Sequence, residues 1–398
     1  MAICSAVRRS VPLVAGGLLL SLFAAGCESS SSGTRFITQS VAVAPLSSTG
    51  RLTVLSANEA SPQSQSFLVA RIQESTTPVA FQAPVRSATG LAPVAMAAGD
   101  LNGDGLVDVA VADQAAVNGN HFVDVQFQTT GSPGSFSAPV ELALGVLKPH
   151  GLALADLDGD GKLDIAVAAS GTGAVQVFFQ GAVAGSFGPA TAFTVGGEPA
   201  AVASADLIGS GRRDLVVATA NGKVSVLLHG AIPGTFLPGV DYPAGTSPAG
   251  VQVADLNGDA LPDILVADYL GALVVLFQNP AGDGTFQPAV SYATRDHGSC
   301  SLAVGDLDGD GRADVVVANA GPPGYPGSVA VFLQDPATPG ALKPAVLYRG
   351  YWGPLWVVIG DLDGDGRPDL VVADGSPYIR FQSPTTPGAF LPPTWLKQ

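Results

Sequence analysis

The sequence has few cysteines and few charges, and each shortage excludes a class of protein. Only 3 of its 398 residues are Cys, too few for the disulfide framework of a small exported domain. Asp, Glu, Lys and Arg make up 13% of the chain, and no long amphipathic helix pattern is present. No stripe of basic residues is available to neutralise phosphates, so the composition argues against nucleic-acid binding.

Residues that reverse the chain direction are abundant instead. The sequence has 50 Gly and 31 Pro, distributed between short segments rich in Val and Ala, which is typical of many short strands joined by tight turns. The formal net charge is -15, but 20 of the 33 Asp and Glu residues occupy one repeated loop. The acidity therefore indicates ion-binding loops rather than a basic partner.

The N-terminal segment has the pattern of an export signal. Arg8 and Arg9 precede an apolar run over residues 11–25, which is too short and too rich in small residues for a membrane span. We therefore expect residues 1–26 to be a signal peptide. The segment Ala-Ala-Gly-Cys27 at its end resembles the bacterial lipobox, which implies that the Cys27 thiol accepts a diacylglycerol. An ordinary cleaved signal with an incidental cysteine is the alternative.

The lipobox resemblance predicts where the protein resides. Residues 27–33 would be an acylated cysteine and a Ser-rich flexible tether, and the membrane would be a partner through Cys27. We expect an exported bacterial lipoprotein, anchored at the outer membrane or the cell surface. Cys4 would be removed with the signal, and Cys300 would have no partner, as a buried or incidental thiol. The stability of the exported domain would then come from packing and metal.

A motif of the form Asp-Leu-x-Gly recurs along the chain, and its period identifies the architecture. Successive copies are separated by 49 to 56 residues, a period typical of propeller blades. A seventh copy lies upstream at Pro45, because residues 41–46 align with residues 202–207. The first Asp of each of the other six copies is Asp100, Asp156, Asp206, Asp255, Asp306 and Asp361.

Each copy contains four short apolar segments, which predict a four-stranded meander. The second segment is apolar on both faces in six copies, as at residues 109–112 and 315–318. A strand buried on both faces must lie in a sheet packed between other sheets. We therefore predict an all-β, seven-bladed β-propeller of four-stranded blades over residues 34–398. An open array is the alternative, but neither end has a polar capping repeat.

The loop between the first two predicted strands reads DxDxDGxxD, as in residues 156–164. Oxygen ligands at its first, third, fifth and ninth positions, with the backbone carbonyl of the seventh, would surround one hard cation. Gly at the sixth position permits the sharp turn. Ca²⁺ fits this set better than Mg²⁺, which demands a rigid octahedron, and no His or Cys is present for zinc.

Five copies carry the complete ligand set, which predicts about five calcium ions. The fourth copy has Ile208 and Ser210 at the third and fifth positions, so Asp206 and Asp214 remain without a cage. Ala260 replaces the turn Gly in the fifth copy, which predicts the weakest of the five sites. The predicted ligands are Asp100, Asn102, Asp104, Leu106 and Asp108; Asp156, Asp158, Asp160, Lys162 and Asp164; Asp255, Asn257, Asp259, Leu261 and Asp263; Asp306, Asp308, Asp310, Arg312 and Asp314; and Asp361, Asp363, Asp365, Arg367 and Asp369.

We interpret the predicted calcium as structural. Carboxylates confined to one turn repel one another, and a cation that neutralises them fixes the turn. The loops resemble the FG-GAP and VCBS-type repeats, which form the propeller of integrin α-subunits and of many secreted bacterial proteins. The resemblance implies seven blades with calcium loops on one face. It implies no activity, because this fold carries adhesion proteins, lectins and domains attached to enzymes.

The face opposite the calcium loops is the candidate binding surface. None of the four His belongs to a catalytic motif, so we expect a non-catalytic binding or adhesion scaffold with a carbohydrate or protein ligand. A lectin or a polysaccharide-acting enzyme is the alternative function, and ordinary polar loops are the alternative for the surface. Residues expected there are Val94, His150, Ala200, Ala249, Cys300, Leu355, Lys148, Asp296, His297, Tyr351, Trp352, Asp113, Asn118, Asn120, His121, Asp268, Tyr269, Asn319, Tyr325, Asp374 and Tyr378.

Overall fold

A computed structural model describes residues 35–46, 52–61, 66–76, 79–90, 92–117, 120–145, 147–322, 325–350 and 353–396. The predicted signal peptide and tether, with Cys27, lie outside the described residues. The described residues form β-strands, turns and bends. No helix among them is long and apolar enough to cross a membrane.

The strands of the described residues form seven antiparallel sheets. The first sheet contains β1 (Arg35–Ala44), β2 (Thr53–Ser61), β3 (Ser66–Thr76), β4 (Val79–Phe81) and β5 (Val85–Thr89). The second contains β6 (Pro93–Gly99), β7 (Asp108–Val117), β8 (Asn120–Gln126) and β9 (Val140–Gly145). The third contains β10 (Lys148–Ala155), β11 (Asp164–Ser170), β12 (Ala174–Phe178) and β13 (Thr191–Thr194).

The remaining four sheets repeat this order of strands. The fourth contains β14 (Pro199–Ala205), β15 (Asp214–Thr219), β16 (Lys223–Leu227) and β17 (Val240–Pro243). The fifth contains β18 (Pro248–Ala254), β19 (Asp263–Asp268), β20 (Ala272–Leu276) and β21 (Val290–Ala293). The sixth contains β22 (Ser299–Gly305), β23 (Asp314–Asn319), β24 (Ser328–Phe332) and β25 (Val346–Arg349). The seventh contains β26 (Trp356–Gly360), β27 (Asp369–Ala373), β28 (Tyr378–Arg380) and β29 (Thr394–Trp395).

The sheets are the seven blades of a β-propeller, as the repeat predicts. The first strands of neighbouring blades lie against one another around the ring, so these strands are the innermost. The second strands β11, β15, β19, β23 and β27 are buried at every position. This burial explains why the second apolar segment of each repeat does not alternate with polar residues.

Side-chain packing closes the ring between its first and last blades. Val41 and Val54 of the first blade pack with Leu362, Val371 and Ile379 of the seventh in one buried cluster. Similar clusters fill each of the other six junctions between neighbouring blades. The open array is therefore wrong. Each terminal blade comes from one end of the chain, so apolar burial rather than a shared strand joins the two ends.

The first blade departs from the predicted four strands. Its β3 pairs with β2 and also with both β4 and β5, which makes a sheet of five strands. A polar network is buried in it, where Arg71 is 2% exposed and its Nη1 donates to Ser56 Oγ at 3.0 Å. Burial lowers the pKa of Arg71 to about 10. This blade has none of the predicted ion ligands, and its interior is organised differently.

A β-bulge occupies the same place in several first strands. The pairing of β10 with β11 shifts between Pro149 and Gly151, so His150 is the extra residue. Our prediction placed this residue just before the strand, which is wrong, because a bulge interrupts the pattern without ending the strand. Leu355 does precede its strand, and its N donates to Ala373 O at 2.9 Å. The residues at the bulge in the second, fourth, fifth and sixth blades are Val94, Ala200, Ala249 and Cys300.

Candidate functional site

The acidic loops connect the first and second strands of six blades, and their last Asp begins the second strand. Asp164 is fully buried, and its two carboxylate oxygens accept Leu157 N and Gln180 N, both at 2.8 Å. This carboxylate therefore joins the loop to the residue that follows the third strand. The equivalent groups Asp108, Asp214, Asp263, Asp314 and Asp369 accept the same two backbone donors.

The first Asp of each loop closes the turn on itself. Asp156 Oδ1 accepts Gly159 N at 2.6 Å, and its Oδ2 accepts Gly161 N at 2.9 Å. In the third position, Asp158 Oδ1 accepts Asp160 N at 3.1 Å. The backbone amides thus hold several carboxylates of one short turn together, although like charges oppose that arrangement.

The donor set in three of the loops fits a hard cation. Carboxylate oxygens lie within 4.8 Å of one another in the groups Asp156, Asp158 and Asp164; Asp306, Asp308 and Asp314; and Asp361, Asp363 and Asp365. Oxygen-only donors in this number suit Ca²⁺. These are the three loops that carry a carboxylate at every side-chain ligand position. The structure thus brings together most of the predicted ligands of the third, sixth and seventh blades.

Two loops contain an amide at the third position. Asn102 Nδ2 donates to Asp104 Oδ2 at 3.2 Å, and Asn257 Nδ2 donates to Asp259 Oδ2 at 3.0 Å. Each pair keeps one carboxylate oxygen occupied by a neutral donor. Ala260 has a φ of 67°, so it adopts the left-handed conformation that Gly161 adopts at the same turn position in the third blade, with a φ of 87°.

Side chains at the seventh position add positive charge to the three loops with four carboxylates. Lys162 Nζ lies 2.6 Å from Asp160 Oδ2, and this pairing lowers the pKa of Asp160. Arg312 pairs with Asp310 at 2.7 Å, and Arg367 pairs with Asp365. Leu106 and Leu261 hold this position in the two loops with Asn. Calcium coordination through the carbonyls of these five residues stays a prediction.

Burial makes the ninth-position carboxyl hard to ionise. Desolvation raises the pKa of Asp164 to about 6, against the opposing effect of its backbone donors. The same cause raises the pKa of Asp108, Asp263, Asp314 and Asp369 to about 6. A cation bound beside these groups would favour their charged form.

A glutamine that the sequence analysis missed connects neighbouring blades beneath the loops. Gln180 Nε2 donates to Leu101 O of the preceding blade at 2.9 Å and to Leu163 O at 3.0 Å. Gln334 and Gln382 make the same two contacts in their blades, and Gln73 Nε2 donates to Leu362 O. A Gln at the end of the third apolar segment in six of the seven repeats indicated this contact in the sequence.

The opposite end of the ring contains many of the predicted surface residues, but most of them have structural roles. Asp268 is buried and accepts Thr246 N at 2.8 Å and Ser247 N at 2.9 Å. Asn319 and Asp374 are also buried and bonded, and Tyr378 is fully buried. For these four residues the alternative of ordinary loop structure holds, because their side chains pack in the interior or bind loop backbone. Asn118, Tyr351 and Trp352 lie outside the described residues.

A smaller group at this end remains exposed. Tyr325 is 69% exposed and Leu270 is 56% exposed, and His297 is also exposed. His297 Nδ1 lies 3.3 Å from Leu270 O, and its own carbonyl accepts Gly321 N at 2.9 Å, in the loop that leads to Tyr325. The fifth and sixth blades therefore expose an aromatic ring, an imidazole and an aliphatic side chain on loops at the same end of the ring.

Two carboxyls at this end lie side by side but are closed off from solvent. Asp113 and Asp124 are 2% and 3% exposed, and Gly90 N donates to Asp124 Oδ2 at 2.8 Å. Burial, with the charge of Asp124 second, raises the pKa of Asp113 well above its usual value. Because the turn at Gly90 covers them, these carboxyls are not positioned to reach a substrate. Burial also raises the pKa of the Cys300 thiol to about 12.

The acidic loops coincide with the repeats of a known protein family. A family model described as an FG-GAP-like repeat matches five overlapping stretches, residues 100–167, 156–212, 206–266, 255–317 and 306–372. The chain belongs to the FG-GAP-like repeat family. The matched FG-GAP-like stretches begin at the first Asp of successive loops, and they include the loop at Asp206 that has lost its third and fifth ligands.

Solved structures show the same fold at low sequence identity. BBS1N, in its complex with ARL6DN, is 15% identical with a TM-score of 0.55, over 89% of this chain and 94% of that chain. Rhamnogalacturonan lyase YesW is 12% identical with a TM-score of 0.51, over 86% and 71%. The Bacillus licheniformis rhamnogalacturonan lyase PL11 is 12% identical with a TM-score of 0.50, over 85% and 70%. No curated protein sequence matches this chain.

Proposed function

We propose that this FG-GAP-like propeller is a calcium-stabilised, lipid-anchored scaffold that binds a carbohydrate or protein ligand without catalysis. The observation that carries the proposal is the exposed group of Leu270, His297 and Tyr325 at the end of the ring away from the acidic loops. Aromatic and polar side chains on a rigid sheet framework suit recognition of a sugar face or a peptide. The loops at the other end would hold structural metal.

Calcium is supported by the oxygen-only donor groups in the third, sixth and seventh blades. The five complete loops would each hold one ion through their first, third, fifth and ninth side chains. The ion would neutralise carboxylates that the fold has already gathered in one turn. Its expected role is to hold the connection between the first and second strands of the blade, since no other group in these loops offsets so much like charge.

Export and anchoring are supported by the sequence of residues 1–33 alone. Cys27 ends the apolar run, in a segment that resembles a lipobox. Several acyl chains, with each buried CH₂ contributing about 0.8 kcal/mol, would hold the protein stably where one chain would not. The test is Cys27→Ser in the bacterial host. Mature protein that is processed and membrane-bound as before would contradict the anchor.

The similar structures do not choose between ligand classes. BBS1N is seen with a protein partner, whereas YesW and PL11 are enzymes that act on rhamnogalacturonan. Both uses are compatible with a binding surface at one end of a propeller. The non-catalytic reading is favoured here because the paired carboxyls Asp113 and Asp124 are covered, and the Cys300 thiol has a pKa of about 12.

The binding proposal is tested with glycan and peptide arrays probed by the full chain in calcium. The double variant His297→Ala/Tyr325→Ala should lose the ligand that the parent protein binds. Ile232→Ala is the matched control, because Ile232 is 69% exposed in a turn at the acidic-loop end. Equal loss in both variants would contradict the assignment of the surface, and release of cleaved or unsaturated sugar products would support the enzyme alternative.

A further inference from the structure

The fourth blade differs from the other metal-type blades at two places that contact each other. Its loop has Ile208 and Ser210 where the others have an acid or an amide and then an acid, and His229 stands where the others have a glutamine. The loop nevertheless keeps its shape. Asp206 Oδ1 accepts Ser210 N at 2.9 Å, and its Oδ2 accepts Gly211 N at 2.7 Å.

The His229 side chain bridges the two ends of this loop. Its Nδ1 lies 2.6 Å from Asp214 Oδ1, and its Nε2 lies 3.3 Å from Ser210 Oγ. The His229 and Asp214 side chains are 6% and 0% exposed. A carboxylate only accepts hydrogen bonds, so the imidazole donates through Nδ1. The buried Asp214 therefore has three donors: Leu207 N, His229 N and the ring.

We propose that the imidazole of His229 takes the place of the metal ion in the fourth blade, so that this loop is held without calcium. In the other blades a cation would connect the ninth-position carboxylate to the side chains at the third and fifth positions. Here one side chain makes the connection from Asp214 to the fifth-position Ser210. The inference uses the proposed calcium sites only for contrast, since the bridge itself consists of residues of this chain.

Ser210, His229 and Asp214 are linked in the same way as a serine nucleophile, its histidine base and the aspartate that orients the histidine. The groups around Ser210, however, oppose acyl transfer. Arg212 N donates to Ser210 Oγ itself at 3.2 Å, and Ser210 N and Gly211 N are both bound to Asp206. The Asp206 carboxylate also lies 3.4 Å from Ser210 Oγ. An oxyanion formed at this place would be repelled by that charge instead of stabilised by free donors. The bridge is therefore structural.

Hydrogen exchange of the loop amides, measured by mass spectrometry on the full chain, tests the proposal. Peptides over residues 206–214 and 156–164 are compared in calcium and in excess chelator. The 206–214 amides should be equally protected in both conditions. His229→Ala should speed their exchange about tenfold in both conditions, through the lost charge-assisted hydrogen bond, and His297→Ala, at the other end of the ring, should not.

Two further variants make the outcome decisive if His229→Ala folds poorly. His229→Gln restores the residue of the other blades and should loosen residues 206–214 while the fold persists. Ser210→Ala removes only the outer partner and should give a smaller increase. Protection of 206–214 that depends on calcium, or that survives His229→Gln unchanged, would overturn the proposal. If the exchange of the 156–164 amides is the same in calcium and in chelator, the proposed metal sites are wrong. The exchange of the 206–214 amides in the parent protein and the His229 variants still tests this inference.

Discussion

The loops of the third and fourth blades have the same backbone arrangement although only the third-blade loop has the complete set of predicted metal ligands. In both, the first Asp accepts two or more amides of its own turn, and the ninth Asp accepts one amide from the loop and one after the third strand. The comparison shows that these two carboxylates fix the shape of the loop. The side chains at the third and fifth positions differ between the two loops, and with them the group expected to offset the charge of the carboxylates.

Removal of calcium should have the largest effect. It should destabilise the loops that have the complete ligand set, as in the third blade, and leave the fourth-blade loop unchanged. Each ion that binds only the folded state adds about 2.7 kcal/mol of stability at a hundredfold excess over its Kd. Five such sites would make the melting temperature fall sharply in excess chelator. Calorimetry with and without calcium measures this fall. Coincident melting curves would mean that the loops are acidic turns without metal.

The pH dependence of the chelated protein should be the next largest effect. The pKa of Asp164 is raised from 3.8 to about 6 in the folded protein, so between about pH 4 and pH 6 the folded state holds a proton that the unfolded state releases. The free energy of unfolding therefore falls as the pH rises through this window. Four equivalent carboxyls act in the same direction.

Calcium should reverse this pH trend, because a bound cation favours the carboxylate form. Melting curves at several pH values between 4.5 and 7 would be recorded in chelator and in calcium. The chelated protein should become less stable toward neutral pH, and the calcium-loaded protein should become more stable. Parallel curves in the two conditions would show that calcium does not contact the buried carboxyls.

Substitutions within the third blade separate the two roles of its carboxylates. Asp164→Ala leaves Leu157 N and Gln180 N without their acceptor, which should cost about 1–3 kcal/mol for each buried donor in chelator, and more in calcium because a predicted ligand is removed as well. Asp158→Ala removes a side chain at the exposed turn and should destabilise only in calcium. Urea unfolding of both variants in both conditions measures the contrast. A loss for Asp158→Ala that persists in chelator would contradict it.

The fourth blade should become a metal site when its ligands are restored. The triple variant Ile208→Asp/Ser210→Asp/His229→Gln recreates the full motif and the inter-blade glutamine. It should bind one calcium ion more than the parent protein, and its melting temperature should acquire a larger dependence on calcium. Metal counting on both proteins after gel filtration is the measurement. The single variant His229→Gln serves as the control and should bind no additional ion.

Features local in sequence were predictable, and features that join distant residues were not. The period and the seven blades follow from residues within one repeat and from its recurrence along the chain. The contact between Gln180 and Leu101 joins residues 79 apart, and no pattern within a strand indicates it. The bulge at His150 is hidden for a related reason, since it adds one unpaired residue without changing the composition of the strand.

The first blade was the least predictable part of the propeller. Its alignment to the other repeats rests on residues 41–46, which do form part of β1 and its end. Its fifth strand has no counterpart among the described residues of the other blades, so the repeat contains no information about that strand. A buried arginine recurs at the position of Arg71 in the seventh blade alone, as Arg380, within the part of the chain that the structure describes. The apolar pattern was sufficient to place the blade in the ring, because Val41 and Val54 complete the junction with the seventh blade.

The smallest expected effect concerns one methyl group in the fifth-blade loop. Ala260 has a φ of 67°, a conformation in which Cβ approaches the following carbonyl at a cost of roughly 1 kcal/mol. Ala260→Gly should therefore raise the free energy of unfolding by up to about 1 kcal/mol in chelator. The matched reverse change is Gly161→Ala in the third blade, where φ is 87° and nothing lies within 4 Å of the added Cβ. It should lower stability by a similar amount through backbone strain alone. Urea unfolding of the two variants should thus give shifts of opposite sign, and shifts of the same sign would show that the turn conformation does not control either loop.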